Sequence, residues 1–241
     1  MSGMVDGYNF LHGVKAFIFD FDNTLVDSAS VLRAVHIKVA EAMGRHLQSL
    51  NINVSGDEVA DLIRRTEKEM EAQRIYDRDR YWERIMALYG AATVSKNQLG
   101  EWTELYWRHY TAPVFPDVEQ TLSTLLSLGY RLGMVTNTDG KAGIKMRRLQ
   151  RYDLMRFFEA VVVAGDDVDE VKPSPKPFLK VSELLGVSPR GCVMVGDHPV
   201  NDVLGSKNAG MKAVLIDRHG GGVDCPADLV IKSLSELLLV V

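Results

Sequence analysis

Hydrophobic and polar positions fall into two patterns along the chain. In the first, short unbroken apolar runs recur at residues 16–19, 132–135, 160–163, 192–195 and 213–216. Runs without alternation suit strands covered on both faces. Helical periodicity lies beside them. Residues 118–128 carry Leu122, Leu125 and Leu126 after Pro116-Asp117, a pair suited to a helix start, and 177–185 and 200–209 have similar texture. Strand and helix in alternation predict a parallel sheet with right-handed crossovers, an α/β fold.

The second pattern fills residues 28–112, which hold no strand-like run. Val31, Val35, Val39, Met43, Leu47 and Leu50 share one helical stripe, and Val59, Leu62, Ile63 and Met70 another. Tyr81, Trp82, Ile85, Met86 and Tyr89 make a third, and Trp102, Leu105 and Tyr106 a fourth; all three tryptophans of the chain lie in this region. These aromatics read as the core of a small helical bundle, with a place for one or two in a substrate pocket as the alternative. The expected organisation is a core domain from 1–27 and 113–241, with a helical domain, 28–112, inserted after the first strand.

Composition narrows the class. The 241 residues fit one core domain with a sizeable insert. A formal net charge of -4 argues against a nucleic-acid surface. Two cysteines cannot supply a disulfide framework, no run approaches the length of a membrane span, and the first ten residues lack a signal-peptide pattern, so a cytoplasmic protein is expected. His36, His46 and His109 lie in helical patterns and read as structural. Arginines 64, 65, 74, 78 and 80 alternate with acids such as Glu67, Glu69 and Asp79, which reads as a solvated helix face; one of those arginines reaching a substrate anion is the alternative.

Candidate chemistry sits at strand ends. The first run leads into Asp20-Phe21-Asp22-Asn23-Thr24, and in parallel sheets ligands bind outside the carboxyl ends of strands. Two carboxylates one residue apart repel each other and lose solvation there, an arrangement suited to a cation or a reaction. Turn chemistry, which Asp-Asn-Thr also fits, is the competing reading. Three further strand ends favour chemistry. Thr136-Asn137 closes the second core run and offers a hydroxyl and turn amides to an anion. Gly165-Asp166-Asp167 follows the third run, with Lys172-Pro173 beyond it. The fourth ends in Gly196-Asp197, and Asp202 follows five residues later.

This ordered set resembles the haloacid dehalogenase superfamily, whose phosphatases carry Asp-x-Asp-x-Thr, then Ser/Thr, then Lys, then Gly-Asp with a second Asp. The resemblance implies a Rossmann-like α/β core with a helical cap between the first two motifs, and a Mg2+-dependent phosphatase of a small phosphorylated metabolite working through an aspartyl-phosphate. It gives Asp20 the role of nucleophile and Asp22 that of acid and base, with Thr24 orienting Asp22. It implies phosphate binding by Phe21, Asp22, Thr136, Asn137 and Lys172, and magnesium binding by Asp20, the Asp22 carbonyl and Asp197, with Asp202 acting through water or from behind the ligands. Substrate choice would rest in the cap, with hinges near 26–28 and 112–116. Asp22 favours phosphoryl over halide chemistry. No lysine of the insert sits in a recognisable motif for Schiff-base cleavage of phosphonates. A sugar phosphomutase and a non-catalytic phosphate- or metal-binding regulator remain as alternatives. Two features depart from the pattern: the acidic run Asp166, Asp167, Asp169 and Glu170, read as solvated charge rather than a second metal site, and His198 beside Asp197, read as a surface or supporting residue with substrate contact as the alternative.

Overall fold

Serine and aspartate side chains set three of the helix starts in the computed structural model, which describes residues 10–218, 220–222 and 224–241. Four helices fill the region after Asp27: α1 (Ser28–Ser49), α2 (Gly56–Ala72), α3 (Arg78–Leu88) and α4 (Lys96–His109). Ser55, Asp77 and Ser95 each accept a backbone amide at the start of the helix that follows, satisfying donors that a helix leaves unpaired. The apolar stripes converge on one core holding Met43, Ile63, Trp82, Trp102 and Tyr106. Leu50 is the exception; it lies past the end of α1 and is 46% exposed.

The charged stretch is not the uniformly solvated face that its composition suggests. Arg78 and Glu67 are buried and paired at 2.6 Å. Glu67 also meets His36 Nε2 at 2.6 Å and accepts from the Tyr106 hydroxyl at 2.8 Å. The Arg78 guanidinium lies 4.1 Å from the centre of the Tyr106 ring. Charges placed inward by helical periodicity survive burial only when partnered in this way.

Contacts divide the chain into two units: one holds residues up to Asp27 with Val114–Thr138 and Lys145–Val241, the other Ser28–Pro113 with Asp139–Ile144. The short segment 139–144 is a member of the helical unit that the sequence reading left in the core. Gly140, at φ 98°, approaches the Tyr76 carbonyl so closely that a Cβ would stand 2.3 Å from it, and Lys141 pairs with Asp79 at 2.5 Å.

The other unit is built on six parallel strands: β1 (Ala16–Phe19), β2 (Arg131–Asn137), β3 (Ala160–Ala164), β4 (Cys192–Gly196), β5 (Lys212–Ile216) and β6 (Leu229–Ile231). Their order is β3-β2-β1-β4-β5-β6. The first five contain the expected apolar runs. The sixth is three residues long with an exposed Val230, too short and too polar in its surroundings for the run signal. Helices α5 (Val118–Ser127), α6 (Ile144–Leu149), α7 (Lys176–Leu184) and α8 (Gly205–Asn208) complete it, with a wide π-type turn at Pro199–Leu204 ahead of α8. The helix expected over 200–209 is thus split. Phe19 of β1 pairs with Met134 on one side and Val195 on the other. Strand order reverses at β1, which opens a crevice beside its carboxyl end.

Candidate active site at the carboxyl end of the sheet

Asp20 extends β1 by one residue, its amide donating to the Val195 carbonyl at 3.0 Å. The chain then turns: Leu25 and Val26 amides both donate to the Phe21 carbonyl, and Asn23 takes φ 57°. Asparagine tolerates that left-handed conformation better than most residues.

Lys172 is the hub. Its ammonium donates to Asp20 Oδ1 at 2.8 Å, to Asp202 Oδ1 at 2.6 Å and to the Val135 carbonyl at 3.2 Å. The other Asp202 oxygen accepts the His198 amide at 3.0 Å. Asp202 reaches this place because Gly196 has no side chain: a Cβ there would stand 2.4 Å from the carboxylate. Asp20, Asp197 and Asp202 each offer an oxygen, all within 4.8 Å of one another.

Three carboxylates against one buried lysine leave the cluster short of positive charge. Burial, with repulsion from Asp202 and Asp22, raises the Asp20 carboxyl to about 6 despite Lys172. Burial, with repulsion from Asp202, Asp20 and Asp22, pushes Asp197 well above the usual carboxylate range. Lys172 is pushed up, since Asp20 and Asp202 outweigh its own burial. An all-oxygen, over-negative, buried donor set is what a hard divalent cation fits. Among the described residues this is the one acidic or histidine-rich cluster of such closeness.

Thr136 is buried at the end of β2, and Asn137 follows with its side-chain carbonyl accepting the Lys172 amide at 2.8 Å. Phe21 is fully buried, its ring edge-on to Tyr152 at 5.1 Å, so it has only its backbone to offer a phosphate. Asp202 lies close to Asp20 and Asp197, with both of its oxygens engaged by Lys172 and the His198 amide. The Thr24 hydroxyl is buried and makes no hydrogen bond among the described residues.

Two residues that the sequence reading passed over hold Asp22. Arg148 engages it bidentately, Nη1 to Oδ1 at 2.8 Å and Nη2 to Oδ2 at 2.6 Å, and Lys145 donates to Oδ2 at 2.8 Å. Burial would raise the Asp22 carboxyl, but the Arg148 and Lys145 charges hold it well below its usual range. The signal was present as two basic residues spaced i,i+3 on the first helix after Thr136-Asn137.

The remaining candidates have structural partners. His198 caps the following turn, its Nδ1 accepting the Val200 and Asn201 amides at 3.2 and 3.1 Å. In the acidic run, Asp166 accepts from Thr138, Asp167 from the Val163 amide, and Asp169 and Glu170 pair with Lys176. The amides of Gly220, Gly221 and Gly222 donate to Asp217, so this glycine run serves its own loop.

Comparison with known proteins identifies the family and the fold. Residues 14–210 match the model of the haloacid dehalogenase-like hydrolases. The chain is 30% identical over 234 residues to a glyceraldehyde 3-phosphate phosphatase of Pyrococcus furiosus, covering 94% of this chain and 92% of that one. It is 30% identical over 251 residues to a phosphoglycolate phosphatase of Shigella boydii, covering 95% and 93% respectively. A HAD phosphatase structure from Thermococcus onnurineus superposes with a TM-score of 0.68 at 31% identity, covering 94% of this chain and 97% of that one.

Proposed function

The chain belongs to the haloacid dehalogenase-like hydrolase family and is a hydrolase acting on phosphate esters, and from that premise we propose that it is a magnesium-dependent phosphatase of a small phosphorylated metabolite. The observation that carries this reading is the bridge of Lys172 between Asp20 and Asp202, beside Asp197, at the end of the central strand. Asp20 attacks phosphorus, forming an aspartyl-phosphate as the P–O bond to the leaving alcohol breaks, and Asp22 gives that oxygen its proton. Asp22 then takes a proton from water as the water oxygen bonds phosphorus and the Asp20–phosphorus bond breaks, releasing inorganic phosphate. Held as a carboxylate at rest, Asp22 is ready for the second task. For the first it needs a proton, which a phosphate monoester with a second pKa of about 6 can bring.

Thr136, Lys172 and the backbone amides of Phe21, Asp22 and Asn137 hold the non-bridging oxygens in this reading, where charge stabilisation does most of the work of phosphoryl transfer. Asp20, Asp197, Asp202 and the Asp22 carbonyl are the residues that would hold magnesium. Its double charge offsets the crowded carboxylates and the negative phosphoryl group. Support for a small metabolite comes from the two relatives named for glyceraldehyde 3-phosphate and phosphoglycolate. The helical unit is read as the cap that selects among such substrates, on its place between the Asp20 and Thr136 segments. A cytoplasmic setting is part of the same reading, in keeping with two free cysteines; among the described residues no helix is long and apolar enough to cross a membrane.

The test is Asp20→Asn. Phosphate release from a panel of phosphorylated metabolites with magnesium is expected to fall by about 1,000-fold or more. Near-normal turnover in this variant would remove the assignment.

A further inference from the structure

We infer that Arg148 and Lys145 are positioning residues for the reaction, fixing the plane and place of the Asp22 carboxylate. The inference rests on the phosphatase reading above and extends it to side chains outside the strand-end set.

Five observations carry it. Both cations are almost completely buried, at 2% and 3% exposure, although each is a residue that ordinarily keeps its charge in water. Burying cations is costly unless they are partnered, and here both face the same carboxylate. Arg148 takes both Asp22 oxygens at 2.8 and 2.6 Å; a planar guanidinium in a two-point contact fixes the carboxylate plane as well as its position. Lys145, one helical turn earlier, adds a contact at 2.8 Å to Oδ2. The Arg148 guanidinium is itself wedged, lying 5.5 Å from the centre of the buried Phe21 ring. The Thr24 hydroxyl, expected to orient Asp22, makes no hydrogen bond among the described residues.

The topology gives the arrangement its logic. Thr136 and Asn137 end β2, and α6 with Lys145 and Arg148 follows directly. One strand–loop–helix segment thus presents the expected phosphate ligands and holds the acid–base residue. Proton transfer depends on a donor held within hydrogen-bond reach of the leaving oxygen, so a carboxylate free to rotate loses rate even when its chemistry is intact.

The test exploits leaving groups. An alkoxide needs a proton as it departs and a nitrophenolate does not, so only the alkyl ester should notice where Asp22 points. Full-length protein with magnesium is assayed on a primary alkyl phosphate and on p-nitrophenyl phosphate, comparing kcat/KM, which reports formation of the aspartyl-phosphate. Arg148→Gln is expected to lower kcat/KM by about 10- to 100-fold on the alkyl ester and by less than about 5-fold on the aryl ester, with Arg148→Lys in between. In an Asp22→Ala background, Arg148→Gln is expected to add no further loss. Equal losses on the two esters, no loss on either, or a full additional loss without Asp22 would overturn the inference. Should Arg148→Gln not fold, Lys145→Gln carries the same comparison with the same outcomes. Asp20→Asn run alongside separates the two readings: activity there removes the phosphatase mechanism, whereas an inactive Asp20→Asn with an unselective Arg148→Gln removes only the role of Arg148 and Lys145.

Discussion

The last residue of β4 shows how much one missing methyl group can organise. With Gly196 the Asp202 carboxylate fits against the backbone and meets Lys172; with any Cβ it would be pushed back from a 2.4 Å overlap. Gly196→Ala is therefore expected to move Asp202 off Lys172, lowering kcat/KM about 10-fold or more and stability by about 1–3 kcal/mol. Steady-state kinetics and thermal melting check both, and wild-type values in each would contradict the packing argument. At this scale the sequence was informative where a residue adjoins a strand, because an apolar run announces its own end. Asp20, Thr136 and Asp197 are candidates of that kind. Asp202, Lys145 and Arg148 lie in turns or on a short helix, where proximity depends on how the chain folds back. Lys145 and Arg148 meet Asp22 across more than a hundred positions, a distance no local pattern encodes.

The helical elements were legible from their apolar stripes, since periodicity reports directly which face is buried. Periodicity of charge was weaker evidence: Glu67 and Arg78 look like their solvated neighbours in composition yet point inward. Their pairing makes the helical unit sensitive to acid. Burial alone would raise the Glu67 carboxyl, but the Arg78 charge and the bonds from His36 and Tyr106 prevail and lower it from 4.5 to about 2. A depressed carboxylate contributes stability that is present above its unfolded pKa and is lost as pH falls through the folded one. The window here is therefore from about 4.5 down to about 2, and the loss is on the order of 3 kcal/mol. Urea titrations followed by tryptophan emission, which arises only from Trp82, Trp102 and Trp107 of this unit, should show that decline in the wild type. It should be largely absent in Glu67→Gln, whose stability at neutral pH is already lower by about 3–5 kcal/mol because Arg78 is left buried without its counter-charge. A similar acid slope in both proteins would show that Glu67 is not its source.

For the whole molecule, alternation of runs and helices was enough to anticipate an α/β fold with a parallel sheet, and it left out only the short edge strand β6. Division into units was harder to read, because the segment 139–144 follows a core strand and has no apolar stripe of its own. Its membership rests on a glycine against a carbonyl and a lysine against Asp79, contacts that composition does not signal. Charge is also unevenly distributed at this scale, with three crowded carboxylates in the sheet unit. Magnesium that binds the native state alone stabilises it by mass action, by about 2.7 kcal/mol at a hundred times the dissociation constant. Added magnesium is expected to raise the melting temperature and chelation to abolish phosphate release. Asp197→Ala should remove most of the thermal shift; a shift of wild-type size in that variant would place the ion elsewhere.

The split membership of the helical unit bears on how such a protein can be rebuilt. Its chain enters that unit twice, at 28–113 and again at 139–144. A chimera that exchanges residues 28–113 alone would leave Gly140 and Lys141 facing a foreign partner, an incomplete graft. Recombination between relatives must therefore carry two cassettes together, or select a second change in the loop after β2. Exchange of the helices would then arrive with a matching signature in the six residues 139–144.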